Sequence, residues 1–234
     1  MTQPGYKQFC PVAMAAEVLC TRWTVVLLRE LMAGSTRFND LRRGVPKMSP
    51  TLLSQRLKEL EASGIIERRE LPSEKGIFEY HMTESGKELR PVIEAMGAWG
   101  QKWIEARVSL KNLDPSLLMW DMRRNLDPSP LPRRRTVIQF QYPELPISKR
   151  SYWLVVEPQG DIDLCSSDPG FDVDLYVSTD LRTMTAIWMG LTTVSKESDK
   201  IAFTGAHDIA SQMQTWLGLS PFATLQNRVS DGVG

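Results

Sequence analysis

Ser49-Pro50-Thr51-Leu52-Leu53-Ser54-Gln55-Arg56-Leu57-Lys58-Glu59-Leu60 carries the boundaries of a helix and the division of its faces in twelve residues. Ser49 has the side chain of an N-cap, and Pro50 takes the first helical position, where a missing N–H costs nothing. The helix runs to about Ser63, with Gly64 as its stop signal. Leu53, Leu57 and Leu60 fall at i, i+4 and i+7 and so pack inward. Thr51, Gln55 and Lys58 lie opposite them, with Ser54 alongside. This outward stripe is rich in groups that hydrogen-bond base edges, where a merely solvated face would favour Glu–Lys pairs. Acids enter only toward its far end, at Glu59 and Glu61.

Upstream, Phe38 and Leu41 face inward on a short helix that shows Asp40, Arg42 and Arg43 outward and stops at Gly44. Val45-Pro46-Lys47-Met48 joins it to the helix above, and two helices joined by a turn of this length form a helix-turn-helix candidate. A helix from about Arg22 to Met32 precedes them, with Trp23, Val26, Leu27 and Leu31 on one face and Gly34 as its C-cap. The first helix begins at Cys10-Pro11 and carries Val12, Met14, Val18 and Leu19.

Downstream of Gly64 the period changes from helical to alternating. Ile65 to Leu71 reads as a strand, Pro72 to Gly76 as a turn and Ile77 to Met82 as the returning strand, a β-hairpin. Its flank and tip carry Arg68, Arg69, Ser73 and Lys75, diluted by Glu67, Glu70 and Glu74. Thr83 then caps a long helix predicted from Glu84 to about Arg107, with Leu89, Val92, Ile93, Met96, Trp99 and Trp103 in one stripe. Such a helix spans about 36 Å at 1.5 Å per residue, more than a small hairpin-bearing domain needs. The excess calls for a partner subunit.

The string from Cys10 to Trp103 resembles the HxlR family of winged-helix regulators, a branch near the MarR repressors. The matching features are Cys10-Pro11-Val12, Arg22-Trp23, Arg37-Phe38-Asn39-Asp40-Leu41, the Ser49–Leu60 stretch, Gly64-Ile65-Ile66, Tyr80, and Thr83 through Leu89. The resemblance implies a dimer that binds a two-fold symmetric operator on double-stranded DNA, as repressor or activator. On that reading Thr51, Ser54, Gln55 and Lys58 face the major groove, and Gln55 has the chemistry to pair bidentately with adenine. Arg37, Arg42, Arg43, Lys47, Ser49 and Arg56 meet phosphates, which gives affinity and salt dependence without sequence information. The alternative is a solvated helix surface in a winged helix that binds protein.

Bulk composition agrees with a regulator of this kind. The 234 residues favour two domains, read here as 1–111 for DNA binding and dimerisation and 112–234 for a second domain. The formal net charge of zero hides a local patch: Arg37 to Lys58 holds six basic residues against one acid, Asp40. Met1 to Gln8 is polar, and no apolar run is long enough to span a bilayer, so a cytoplasmic protein without membrane insertion is expected. Three cysteines and two histidines fit no zinc pattern and imply no metal. No nucleophile motif, phosphate loop or paired acid–base constellation is present, so no cofactor or enzymatic activity is expected.

Cys10 stands at a helix N-terminus, where the macrodipole favours the thiolate. Some regulators of the HxlR type sense oxidants or electrophiles at the matching place, and the resemblance makes Cys10 a redox candidate. The other reading is a small half-buried residue at a helix start.

From Asn112 the texture shifts. A short helix opens at Asp114-Pro115, and a turn-rich stretch, Asp127 to Pro132, follows it. Strands are predicted at Thr136–Tyr142, Tyr152–Glu157, Ile162–Cys165, Phe171–Ser178 and Ile201–Phe203, with helices at Leu181–Val194 and His207–Leu217. This order resembles a sterol carrier protein type 2-like domain over Asn112 to Leu225, an α+β fold around an apolar cavity. The resemblance implies a small apolar ligand, with Met184, Ile187, Trp188, Met213, Trp216 and Leu217 lining its pocket; the same residues read equally as core. Arg133-Arg134-Arg135 is a solvated strand entry or an extra DNA-backbone contact. Three functions therefore compete: a regulator gated by an apolar ligand, one gated by Cys10, and a lipid carrier with an incidental winged helix.

Overall fold

The structure is a computed structural model that describes residues 5–104, 110–226 and 228–229. It forms two compact units, Met1–Met96 and Gly97–Gly234.

In the first unit, α1 (Pro11–Leu19), α2 (Thr24–Met32), α3 (Phe38–Gly44) and α4 (Pro50–Ala62) precede a hairpin of β1 (Ile66–Glu70) and β2 (Phe78–Met82). Leu27, Leu28 and Leu31 of α2, Leu41 of α3 and Leu53, Leu57 and Leu60 of α4 bury against one another, with Val45 and Met48 of the connecting turn. On α3 and α4 the buried face is the one read from the sequence; on α2 Leu27 and Leu31 are buried as expected, but Leu28 takes the inward place expected of Val26, which is exposed. Glu30 is buried beside this core: its carboxylate is fully covered and accepts from Ser35 Oγ at 2.6 Å.

The hairpin pairs antiparallel from Ile66 opposite Met82 to Glu70 opposite Phe78. A third segment adds to it, for Tyr80 N–H donates to the Thr36 carbonyl at 2.9 Å and Arg37 bridges to Glu79. Two residues of extended chain before α3 have no periodicity to read, so the sequence shows only two strands.

The single long helix expected after Thr83 is instead two: α5 (Glu84–Lys87) and α6 (Arg90–Trp103). Thr83 caps the first through Gly86 N–H. Pro91 accounts for the break, since it has no N–H to offer the Lys87 carbonyl and its ring crowds that oxygen. The expected end at Arg107 lies outside the described residues.

In the second unit α7 (Pro115–Asn125) leads into β3 (Thr136–Gln141), β4 (Ser151–Val156), β5 (Ile162–Cys165) and β6 (Leu175–Ser178). Then come α8 (Leu181–Trp188), β7 (Ala202–Gly205), α9 (His207–Ser211) and α10 (Met213–Trp216). The sheet order is β5-β4-β3-β6-β7, with β3 and β6 parallel and every other neighbour antiparallel. Phe140, Leu154, Leu175 and Val177 project from the sheet into a core closed by Met119 and Met122 of α7, Met184 and Ile187 of α8, and Trp216.

Strands β3, β4 and β7 fall within two residues of the sequence reading, and the larger departures each have a local reason. The strand expected from Phe171 begins only at Leu175, because the chain first crosses from the edge strand β5 to reach β6. Asp174 marks its arrival, exchanging hydrogen bonds with the Val137 backbone at 2.8 and 2.9 Å. The helix expected to reach Val194 stops at Trp188 in a Schellman turn: Leu191 N–H bonds to Ala186 O, Gly190 N–H to Ile187 O, and Gly190 takes φ 74°. The last helix divides at Gln212, where the chain tightens to a bond from Gln212 N–H to Ile209 O.

Candidate nucleic-acid interface

The turn between α3 and α4 is set by its two buried side chains. Val45 and Met48 point into the core and leave Pro46 and Lys47 exposed. Ser49 then caps α4, its Oγ accepting from Leu52 N–H at 3.3 Å. With Leu53, Leu57 and Leu60 buried, Thr51, Gln55 and Lys58 stand in solvent and Ser54 is half-buried. The residues expected to read bases thus share one accessible face, which starts at a capped helix N-terminus.

The cations divide into two groups. Arg42, Lys47, Lys58 and the hairpin-tip Lys75 are exposed, and among the described residues none of them has an ion-pair partner. Arg43 lies 3.6 Å from Asp40. Arg37 is drawn to the hairpin, 2.9 Å from Glu74 and 3.7 Å from Glu79, so it fastens the start of α3 to the wing. Those carboxylates hold its guanidinium above the ordinary arginine range, Glu74 first. Arg68 stacks 4.4 Å over Phe78 and approaches Glu61 at 3.9 Å, while Arg69 pairs with Glu67. Ser73 is exposed at the tip.

Arg56 departs from the phosphate-facing role expected of it. Its side chain is only 14% exposed, pairs with Glu59, and donates through Nε to the Arg22 carbonyl at 3.2 Å. Glu59 in turn accepts from Gln55 Nε2 at 2.9 Å. The i,i+3 spacing of Arg56 and Glu59 is a salt-bridge pattern, and that of Gln55 and Glu59 at i,i+4 a hydrogen-bond one. The main-chain carbonyl of Arg22 left no signal in the sequence.

Cys10 is the N-cap of α1 and half-buried. Its side chain makes no cap hydrogen bond, but the backbone N–H groups of Ala13 and then of Val12, which face it at the helix start, hold the thiol below the ordinary cysteine range. Cys20 is exposed and Cys165 half-buried. Around Cys10 the apolar side chains lie open: no residue of α1 is buried, Val12 and Met14 are exposed, and Phe9 is 98% exposed. On α6, Ile93 is buried, whereas Val92, Met96, Trp99 and Trp103 of the same stripe are exposed.

In the second unit Met184, Ile187, Met213, Trp216 and Leu217 are fully buried within one core, and Trp188 packs against it. Trp216 Nε1 donates to Ile209 O at 2.8 Å. The Trp188 indole N–H is buried with no hydrogen-bond partner among the described residues. Two of the three arginines at the strand entry are committed within this unit: Arg134 pairs with Asp174 and Arg135 with Glu157, both at 2.8 Å. Arg133 is exposed. Among the described residues no cluster of His, Cys, Asp and Glu is arranged to hold a metal, and no single helix is long and apolar enough to cross a membrane.

The family model of HxlR-like helix-turn-helix proteins matches residues 18–108. The HTH-type transcriptional regulator YvaP of Bacillus subtilis (strain 168) is 34% identical over 99 residues, which is 42% of this chain and 92% of the relative. YodB of the same organism, also named an HTH-type transcriptional regulator, is 36% identical over 97 residues, 41% of this chain and 87% of its own length. Of solved structures, the reduced form of YodB aligns with a TM-score of 0.36 at 36% identity, covering 40% of this chain and 93% of that one. The redox regulator HypR in its oxidised form aligns at 0.37 and 35% identity, covering 39% and 95%. With the family model matched from residue 18 to 108 and a relative matched over 92% of its length, the chain belongs to the HxlR-like helix-turn-helix family of transcriptional regulators.

Proposed function

We propose that the first unit binds double-stranded DNA through α4, as one half of a homodimer that represses from a two-fold symmetric operator. The observation that carries this reading is the exposed stripe of Thr51, Gln55 and Lys58 on a helix whose opposite face is wholly buried. Arg42, Lys47 and Lys75 flank it with charge not spent on internal ion pairs among the described residues. Support for the dimer comes from the open apolar side chains of α1 and of the α6 stripe, since exposed apolar patches of this kind mark association surfaces.

The test is fluorescence anisotropy of the full chain on the duplex upstream of its own gene and on a scrambled duplex, at two salt concentrations. Tight binding to the native duplex alone is expected. Lys47→Ala is expected to weaken binding to both duplexes alike and to lower the salt slope by about one. An unchanged slope removes Lys47 from the phosphate contacts, and equal, salt-sensitive binding to both duplexes by the wild type removes sequence reading at that site.

Two observations favour gating by a second signal. The buried Trp188 N–H, without a partner among the described residues, suits an apolar ligand bearing one acceptor group, in keeping with a sterol-carrier-like domain of residues 112–234. The Cys10 thiol, lowered by two backbone N–H groups, suits a thiol sensor. Cys10 is therefore expected to react with N-ethylmaleimide at neutral pH faster than Cys20 or Cys165, measured by peptide mass spectrometry. If exposed Cys20 reacts first, the thiol reading falls. An oxidant response that survives Cys10→Ser does the same.

A further inference from the structure

We infer that Glu59 is a specificity-determining residue, which holds the Gln55 amide in the orientation that reads a base. The inference rests on the proposal that α4 reads DNA. Three linked contacts carry it. Arg56 Nε is tied to the Arg22 carbonyl at 3.2 Å, a main-chain group outside α4. The same guanidinium pairs through Nη1 with Glu59 Oε2. Glu59 Oε1, the other oxygen of that carboxylate, accepts from Gln55 Nε2 at 2.9 Å.

The arrangement runs from a fixed backbone atom to an exposed reading side chain. A free glutamine on a helix surface samples many rotamers, and ordering it on DNA costs side-chain entropy. Here that entropy is surrendered beforehand. Arg56, at 14% exposure, has little freedom; it fixes Glu59, itself 47% exposed, and Glu59 fixes Gln55. The amide carries two N–H donors and one carbonyl acceptor, and Glu59 occupies one donor. A donor–acceptor pair remains, which is what bidentate recognition of adenine N7 and N6 requires. The arrangement also gives a role to an acid on an otherwise phosphate-seeking helix, where a bare carboxylate repels DNA. Arg56 offsets that charge.

The experiment selects bound sequences from a randomised duplex library with the full-length wild-type chain. Preferences are then measured base pair by base pair for Gln55→Ala, Glu59→Ala, Glu59→Asp and the double variant Gln55→Ala/Glu59→Ala. Glu59→Ala also takes the carboxylate from the largely covered Arg56, so melting temperatures are measured beside the preferences and binding is compared well below the lowest of them. Glu59→Asp, which retains charge but withdraws the carboxylate by one methylene, guards against effects of charge or folding. The expected result is that Gln55→Ala and Glu59→Ala lose preference at the same base pair. A bidentate pair is worth roughly 5- to 150-fold in discrimination. The double variant loses no more than Gln55→Ala alone. Glu59→Ala binds the scrambled duplex as well as the wild type or better, and Glu59→Asp shows the lost preference without that gain.

Retained preference in Glu59→Ala at the base pair that Gln55 reads overturns the inference. So does a change confined to a different base pair, which means that Glu59 touches DNA itself. Failure of the underlying proposal looks different: the wild type then enriches no sequence at all.

Discussion

Gly86→Ala is expected to destabilise the N-terminal unit by about 3 kcal/mol, the upper part of the range for overpacking a core. The sign is what makes the result informative. Gly86 lies inside α5, and propensity alone has alanine stabilising a helix interior by about 1 kcal/mol relative to glycine. Against that, a Cβ on Gly86 would stand 2.1 Å from the Ile65 carbonyl oxygen, a backbone atom, and 3.0 Å from Met82 Cε. The Ile65 oxygen has no room to retreat. It already accepts from Thr83 N–H and Thr83 Oγ1, both at 3.0 Å, the bonds that seat α5 on the start of β1. Chemical denaturation should therefore show a lower midpoint with an unchanged slope. Gly100→Ala on α6 is the control: its nearest neighbour is Ile104 Cδ1 at 3.8 Å, and propensity should win there. If Gly86→Ala and Gly100→Ala both stabilise, α5 does not approach the hairpin as closely as described.

Gly86 also shows what kind of feature a sequence can announce. The cap at Thr83 and the helix after it were legible because capping and periodicity are local. The close approach that requires glycine was not, since it depends on the position of Ile65, which lies just ahead of β1 and is distant in sequence. The same division runs through both units. Ser49, Pro50 and the leucines of α4 specify their helix from within it, so its boundaries and buried face were both readable. In the second unit the order of strands and helices was readable for the same reason. The late start of β6 was not, because Val173 alternates correctly with Asp172 and Asp174 while the chain is still crossing from β5.

The candidate interface was legible in its outline and not in its wiring. Side-chain type and helical phase were enough to place Thr51, Gln55 and Lys58 on one face. Which cations are spent internally is a matter of tertiary distance. Arg37 and Lys47 look alike in the sequence, yet one is fastened to Glu74 at 2.9 Å and the other has no such partner among the described residues. The charge count from Arg37 to Lys58 therefore overstates what is free to meet phosphate, because Arg37 and Arg56 are largely committed to the fold. A salt slope smaller than that count implies is the consequence to look for.

Trp216→Ala is expected to have the larger effect on the second unit, about 4 kcal/mol, in the range for deleting a buried aromatic. Three connections end at this residue. Its fully buried ring meets Phe140 edge-on, with centroids 6.4 Å apart. Nε1 satisfies the Ile209 carbonyl at 2.8 Å, and the Trp216 carbonyl accepts from Asp127 N–H at 2.9 Å, which ties α10 to the end of α7. Alanine keeps the last of these, leaves a void in place of the first and takes the shorter of two hydrogen bonds from the Ile209 oxygen, which keeps Gln212 N–H at 3.3 Å. Tryptophan fluorescence is a suitable reporter, since six of the seven tryptophans lie in Gly97–Gly234 and only Trp23 lies outside it. Its denaturation midpoint should fall steeply. Added indole should raise it again in the variant and not in the wild type, because an apolar hole of that shape stays dry and accepts an apolar guest. Indole stabilising the wild type equally would mean that the chain already holds a space of this kind, which favours the ligand-binding reading of residues 112–234 over a closed core. A loss below 1 kcal/mol would instead show that this unit is not built around Trp216.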